Sequence, residues 1–356
     1  MSPGDLQAAP VGGKHTTTPG AGGAASELAE RRRQPLQRVQ HVLHAHPAVS
    51  PAIILAITCV VFTVLNPRFS EPGTVSLMIQ QTAVVAALAV GQTLIILTAG
   101  IDLSVGAAAI LAMMVMASYG SEHGLPGPLA LLLGLGVAIL AGAVNGGLVT
   151  RLRLPPFIVT LGTLSVFTAI TLLYTGGQSI QQVAMPDLLS WTGDIHAIGE
   201  FRVTNGVLLC VALYVVVGFA LSQTAWGRHV YAVGDDPEAA RLAGIRTTRV
   251  LFSVYVVAGV VYGIAAWILI GRAGAASPNA IADANLESIT AVVIGGTSLF
   301  GGRGGVVGTL LGALIVQAFA LGLSLAGVDD QYRLLAVGVL VVAAVSVDQW
   351  IRKVRA

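Results

Sequence analysis

Charge is what this sequence has least of. Asp, Glu, Lys and Arg make up 10% of its 356 residues, against about 25% in soluble globular chains. With 55% of the residues apolar, that shortage excludes a water-soluble domain. Lysine is nearly missing: the chain has Lys14 and Lys353. A phosphate-binding P-loop needs G-x-x-x-x-G-K followed by Ser or Thr, so that lysine reaches the phosphates and the hydroxyl holds magnesium. His15 stands where the hydroxyl belongs and Ala8 where the first glycine belongs, so this chain carries no such nucleotide site. Cysteine is limited to Cys59 and Cys210, both inside apolar runs, which points to packed thiols and not to a disulfide. His41, His44 and His46 lack a second ligand group, so no metal site is expected. A net charge of +2 is too small to mark a nucleic-acid partner.

What is present is apolar length. Ten apolar segments run at about 50–66, 76–98, 103–119, 127–149, 156–174, 205–222, 250–271, 287–300, 304–325 and 331–349. A hydrocarbon layer of about 30 Å needs roughly 20 helical residues, so these predict an all-α polytopic protein of about ten transmembrane helices in the lipid bilayer. Residues 1–46 differ: Gly, Pro, Ser and Thr, then Arg31, Arg32, Arg33 and Arg38, as expected of a disordered tail. No short apolar stretch follows a basic start as in a cleavable signal peptide, so the first span is expected to remain. Placing the tail in the cytoplasm and alternating sides puts fifteen of the nineteen Lys and Arg inside, leaving Arg68, Arg202, Arg272 and Arg333 outside. This is the asymmetry of the positive-inside rule, and an even number of spans then leaves both termini in the cytoplasm.

The segments are not uniform. Residues 287–300 are short and run into the glycine-rich "GGTSLFGGRGG". Irregular backbone at membrane depth is tolerated only inside protein or beside a water-filled cavity, so broken or half-helices near a translocation path are expected here. The stretches 90–106 and 294–308 resemble each other: each has G-x-T, a glycine-containing break and a closing V-G, a weak internal repeat of the kind transporters use. In "GIDLSVG", Gly100, Asp102, Ser104 and Gly106 form a turn between two apolar segments. A carboxylate at the centre of a membrane helix costs about 2.5–3.5 kcal/mol, so Asp102 must sit at the interface, inside the bundle or with a partner. Asp102 or Ser104 can cap the following helix; the rival role is contact with substrate or ions.

The longest cytoplasmic connection, 223–249, contains a short helix signature. Asp235 or Asp236 serves as N-cap, Pro237 opens the first turn, "EAARLA" favours helix and Gly244 stops it. Two turns are marginal alone, which suggests a docking partner. Polar residues inside spans, Gln80, Gln81, Gln92, Asn145, Thr160, Thr163 and Gln317, are candidates for a translocation path, each with the alternative of bonding a neighbouring helix. The largest outer loop, 176–203, carries Asp187, Trp191, Asp194 and Glu200 and offers a surface for a soluble partner. Trp191 equally suits an interface anchor.

"GQTLIILTAGIDLSVGA", "LRLPPFIVTLGTL", "AVGDDPEAARLAGI" and "VVIGGTSLFGGRGGVVGTLLGALI" together resemble the permease subunits of the ribose/xylose/galactose class of ABC sugar importers. The likeness covers about residues 50–350, so 47–356 is expected to be the transmembrane permease domain, of type II importer-like fold. It implies a non-enzymatic subunit in a bacterial inner membrane, working with an ABC ATPase, an extracytoplasmic sugar-binding protein and a second permease copy in a homodimer. No cofactor is expected on this chain, ATP and Mg being held by the ATPase. The helix with Asp236, Glu238, Ala239, Ala240, Arg241 and Gly244 takes the place of the family's ATPase-coupling helix. Where many members have Gly-Asn or Asn-Glu ahead of Glu-Ala-Ala, this chain has Asp235-Asp236-Pro237.

The resemblance implies import of a pentose or a hexose, with the binding protein largely setting selectivity. An ion-coupled secondary transporter is the alternative, but such carriers place ionisable groups at mid-membrane, whereas Glu287 and Asp348 fall at segment ends. A lipid-acting membrane enzyme is disfavoured because the Asp235-Asp236 pair has no second acidic cluster.

Overall fold

The computed structural model describes residues 48–329 except Ala282, with Gln331, Tyr332, Leu335, Ala336, Gly338, Val339 and Val342. The expected tail and most of the tenth apolar segment lie outside the described residues. Twelve α-helices are described: α1 (Val49–Leu65), α2 (Pro72–Leu97), α3 (Val105–Ser121), α4 (Gly127–Arg151), α5 (Pro156–Thr175), α6 (Asp187–Ser190), α7 (Asn205–Gln223), α8 (Ala225–Asp235), α9 (Pro237–Leu242), α10 (Thr247–Ala273), α11 (Ala284–Ile294) and α12 (Val306–Leu325). Six of them, α2, α4, α5, α7, α10 and α12, are long and apolar enough to cross a membrane, while α1, α3 and α11 are shorter apolar helices. The architecture is that of an all-α, multi-pass membrane protein.

Helix α2 is the axis of the bundle. Every side chain from Thr82 to Leu97 is buried, as expected of a helix that is apolar all round and surrounded by protein. The largest helix pairing joins α4 to α10, along a seam of small residues. A methyl group added at Gly142 would strike the carbonyl of Tyr255 and the backbone of Gly259, and one at Gly259 would strike the carbonyl of Ala138. Glycine lets the two backbones touch, and this close packing replaces the hydrophobic driving force that lipid does not supply. Helix α5, by contrast, turns Phe157, Ile158, Leu161 and Leu173 outward.

One end of the bundle is basic, carrying Arg151, Arg153, Arg228, Arg241, Arg246, Arg249 and Arg303 on the loops and helix ends around Leu97. The opposite end is closed by the 176–204 segment, which forms two small sheets. β1 (Ile180–Gln181) pairs with β4 (Ala275–Ala276), and β2 (Ile195–Ile198) forms an antiparallel hairpin with β3 (Phe201–Thr204). Trp191 stacks on Trp267 at 5.5 Å, and the Trp267 indole donates to the Leu188 carbonyl at 3.0 Å. Leu189 and Thr192 of this segment are buried, while most of its other residues stay exposed.

The expected breaks are present. Helix α2 ends at Leu97 and α3 begins at Val105; α11 ends at Ile294 and α12 begins at Val306. With eleven residues and a rise of 1.5 Å per residue, α11 is about 16 Å long, half the hydrocarbon thickness. The connection after α7 holds two helices, not the single one expected. Thr224 caps α8 by accepting the Gly227 amide at 3.2 Å, and α8 buries Val230 and Val233. Their spacing from Trp226, four and seven residues on, is the helical signal that could have revealed it.

Candidate functional site

The turn between α2 and α3 climbs back into the bundle and carries a buried carboxylate. Asp102 is 1% exposed and takes three hydrogen bonds. Its Oδ1 accepts the Ser104 amide at 2.7 Å and the Ser104 hydroxyl at 2.6 Å, and its Oδ2 accepts the Tyr262 hydroxyl at 3.2 Å. Tyr262 is the sixteenth residue of α10, so its Cα stands about 22 Å along that helix. The carboxylate therefore lies well inside the protein, where three donors offset the loss of water.

Two of the candidate path residues join this knot. Asn145 of α4 donates to the Ser104 hydroxyl at 2.8 Å, and Thr160 of α5 donates to the Ile101 carbonyl at 3.0 Å. The others are placed elsewhere. Gln80 donates to the Arg202 carbonyl at 3.0 Å, which pins the hairpin at the far end of the bundle, and Gln81 sits half-buried beside it. Thr163 donates to the Thr160 carbonyl at 3.4 Å, and Gln317 contacts the Glu287 carboxylate at 3.5 Å. Gln92 is fully buried with neither amide atom partnered among the described residues; the same holds for the Asn145 Oδ1 and the Tyr255 hydroxyl.

Sequence reasoning assigned the cap of α3 to Asp102 or Ser104. The structure gives Asp102 to the turn itself, since it bonds the Ser104 amide ahead of the helix, and Ser104 makes no side-chain cap bond. The cap comes instead from Asn285, in the first turn of α11, whose Oδ1 accepts the Gly106 amide at 2.7 Å. The starts of α3 and α11 thus meet beside Asp102, and both direct the positive ends of their dipoles into the protein interior. Discontinuous helices meeting in this way are a construction that transporters use for solute handling. Nothing in the local sequence marks Asn285 as the partner of a helix 179 residues away.

The short helix α9 lies at the basic end. Asp236 caps it, accepting the Glu238 and Ala239 amides at 2.9 and 3.0 Å. The Ile245 amide closes its end on the Ala240 carbonyl at 3.0 Å, and Gly244 takes the left-handed conformation, φ +84°. Ala240 anchors the helix inward, while Glu238 and Arg241 form an exposed ion pair at 3.0 Å and Leu242 is 82% exposed. Immediately before it, Gly234 packs directly on the Leu97 carbonyl and the Gly302 amide. The Gly302 amide itself donates to Leu97 at 3.0 Å. Tyr231 adds a further tie, donating to the Gly304 carbonyl at 2.9 Å; burial pushes its phenol above the usual tyrosine value. Three segments distant in sequence, the end of α2, the approach to α9 and the glycine break, therefore cross in contact. Thr93, in the first of the two stretches that resemble each other, also meets Thr309, the residue just after the second, their hydroxyls 2.7 Å apart. No cluster of three or more His, Cys, Asp or Glu suited to a metal occurs among the described residues.

A bundle with a broken-helix polar centre and an exposed helix linked to it defines a membrane transport permease. The chain belongs to the family described as "Branched-chain amino acid transport system / permease component", matched over residues 74–345. It is 48% identical to the fructose import permease protein FrcC of Rhizobium meliloti over 325 residues, 90% of each chain. It is 36% identical to the ribose import permease protein RbsC of Bacillus subtilis over 301 residues, 85% of this chain and 92% of that one. It is 33% identical to the D-allose transport system permease protein AlsC of Escherichia coli K12 over 301 residues, 84% of this chain and 91% of that one. No solved structure matches the chain.

Proposed function

We propose that this chain is the permease subunit of an ATP-driven importer that carries a monosaccharide, a pentose such as ribose or a hexose such as fructose, across a bacterial inner membrane. The observation that carries the reading is the continuity from α9 to the centre. An exposed, capped helix leads through Gly234 to Leu97, and from Leu97 the turn leads in seven residues or fewer to Asp102 and Ser104. The names of the sugar-permease relatives support the cargo. A neutral polyol also suits a lining of amides and hydroxyls around one carboxylate that is already bonded, better than a zwitterionic amino acid that needs two opposite charges met.

In this reading α9 is the coupling helix and docks into an ABC ATPase that supplies ATP and Mg. The cap of 176–204 receives a sugar-binding protein. The basic end and both termini lie in the cytoplasm, a second copy completes a homodimer, and a tenth helix in 331–349 completes a type II importer-like fold. Residues 1–46 form a cytoplasmic tail outside the permease domain.

The test is sugar uptake by the chain co-expressed with its ATPase and binding protein. Replacing Glu238 and Arg241 together is expected to leave the permease inserted and to separate ATP hydrolysis from uptake. Wild-type uptake by that double variant removes the coupling role of α9. Uptake driven by an ion gradient with no ATPase present removes the importer reading and favours an ion-coupled secondary transporter.

A further inference from the structure

A cavity of about 400 Å³ opens at the basic end, between the α2–α3 turn, the α4–α5 connection and the start of α10. Its walls include Ala99, Gly100, Arg153, Pro156, Leu251 and Tyr255. Three observations set it apart. Tyr255, a residue of the cavity wall, is 1% exposed, and its buried hydroxyl has no partner among the described residues. A buried hydroxyl without a partner is uncommon in a folded protein and calls for an occupant or a function. Ala99 and Arg153 have φ of +60° and +56° and are the two non-glycine residues with positive φ among the described residues. Both line this one cavity. Backbone held in that region persists where the surroundings impose it, and it concentrates at ligand clamps and switch regions. Finally, Val149 on its wall is one helical turn along α4 from Asn145, whose Oδ1 is also unpartnered among the described residues.

The chemistry is that of a neutral polyol site. Volumes of 300–1,000 Å³ with mostly apolar walls and a few placed polar groups are typical of small-molecule pockets, and a sugar ring presents apolar C–H faces with hydroxyls at its edge. We propose that this cavity is an inward-facing monosaccharide site, in which the Tyr255 hydroxyl bonds a sugar hydroxyl and the Arg153 guanidinium lies at the mouth through which the sugar leaves. The proposal rests on the importer reading above and adds to it a specific place and a specific contact. The strained Ala99 and Arg153 stand on the two segments whose separation widens the mouth. The contact is one that must form and break in each cycle, which explains why Tyr255 has no permanent partner.

The test uses the assembled importer in lipid nanodiscs with Leu154→Cys as reporter at the cavity, labelled by a membrane-impermeant maleimide. The native Cys59 and Cys210 lie inside helices α1 and α7 and serve as the unlabelled background. D-fructose and D-ribose are the probes, and each is also assayed for import by cells carrying the same transporter. An imported sugar is expected to slow labelling of Leu154→Cys at least threefold in a saturable manner. Tyr255→Phe, which keeps the ring and the Cβ that packs on Gly146, is expected to remove that protection, as is Leu251→Trp, which fills the cavity. Labelling unaffected by a sugar that the cells import, or protection undiminished in Leu251→Trp, overturns the site, and protection undiminished in Tyr255→Phe overturns the role of Tyr255. Import of neither sugar nor of any other monosaccharide overturns the importer reading itself and this inference with it.

Discussion

Gly106 and Asn285 are 179 residues apart in the chain, and the amide of the first donates to the side-chain oxygen of the second at 2.7 Å. This bond caps α3 and fixes the start of α11 against it, and it holds two broken helices in register beside Asp102. Asn285→Ala leaves a buried helix-terminal N–H without its acceptor, which costs about 1–3 kcal/mol. A lowered unfolding midpoint in detergent, with insertion preserved, is the expected result. An unchanged midpoint removes Asn285 as a structural tie.

The α4–α10 seam separates two kinds of glycine. Gly142→Ala drives a methyl group into the carbonyl of Tyr255, whereas Gly147 on the same helix has open space around its Cβ direction. Overpacking costs about 1–3 kcal/mol, so Gly142→Ala is expected to reduce thermal stability and Gly147→Ala to leave it near wild type. Equal effects from the two contradict the seam.

The crossing of Gly234, Leu97 and Gly302 leads to a functional contrast. Gly234→Ala puts a methyl group against the Leu97 carbonyl, in the joint between α9 and the turn, while Gly244→Ala meets no atom and bears only the strain of φ +84°. That strain costs about 1–3 kcal/mol. Gly234→Ala is expected to lower uptake far more than ATP hydrolysis by the docked ATPase, and Gly244→Ala to lower both together through looser docking. Normal uptake by Gly234→Ala shows that the joint does not transmit motion.

Tyr231 predicts an alkaline limit. Burial raises its folded-state pKa above the usual value of about 10, so the unfolded chain ionises this phenol before the folded one does. Its contribution to stability is complete below pH about 10 and is lost as pH rises through the higher folded value. Tyr231→Phe is expected to flatten the stability profile above pH about 10, where the unfolded phenol begins to ionise. It also removes the bond to Gly304, which lowers stability at all pH values. A profile with unaltered alkaline slope excludes Tyr231 as a source.

The membrane character, the six helices long and apolar enough to cross a membrane and the two interruptions at 98–104 and 295–305 were legible in the sequence because they are written in local composition, in apolar length and glycine. The helix at 237–242 was legible for the same reason, through Asp236, Pro237 and Gly244. Helix α8 was legible in principle, from Trp226, Val230 and Val233, but its alternation is short and lies among polar residues. The partners of the candidate site were another matter. A helix such as α2, apolar on every side, has no hydrophobic phase to say which face meets which neighbour. The outward-facing α5 is equally apolar, so burial leaves no trace in its pattern. The tie from Asp102 to Tyr262 spans 160 residues, and that from Gly106 to Asn285 is longer still. Which polar residues gather at the centre, and which, like Gln80, serve the periphery, was therefore decided by tertiary packing alone.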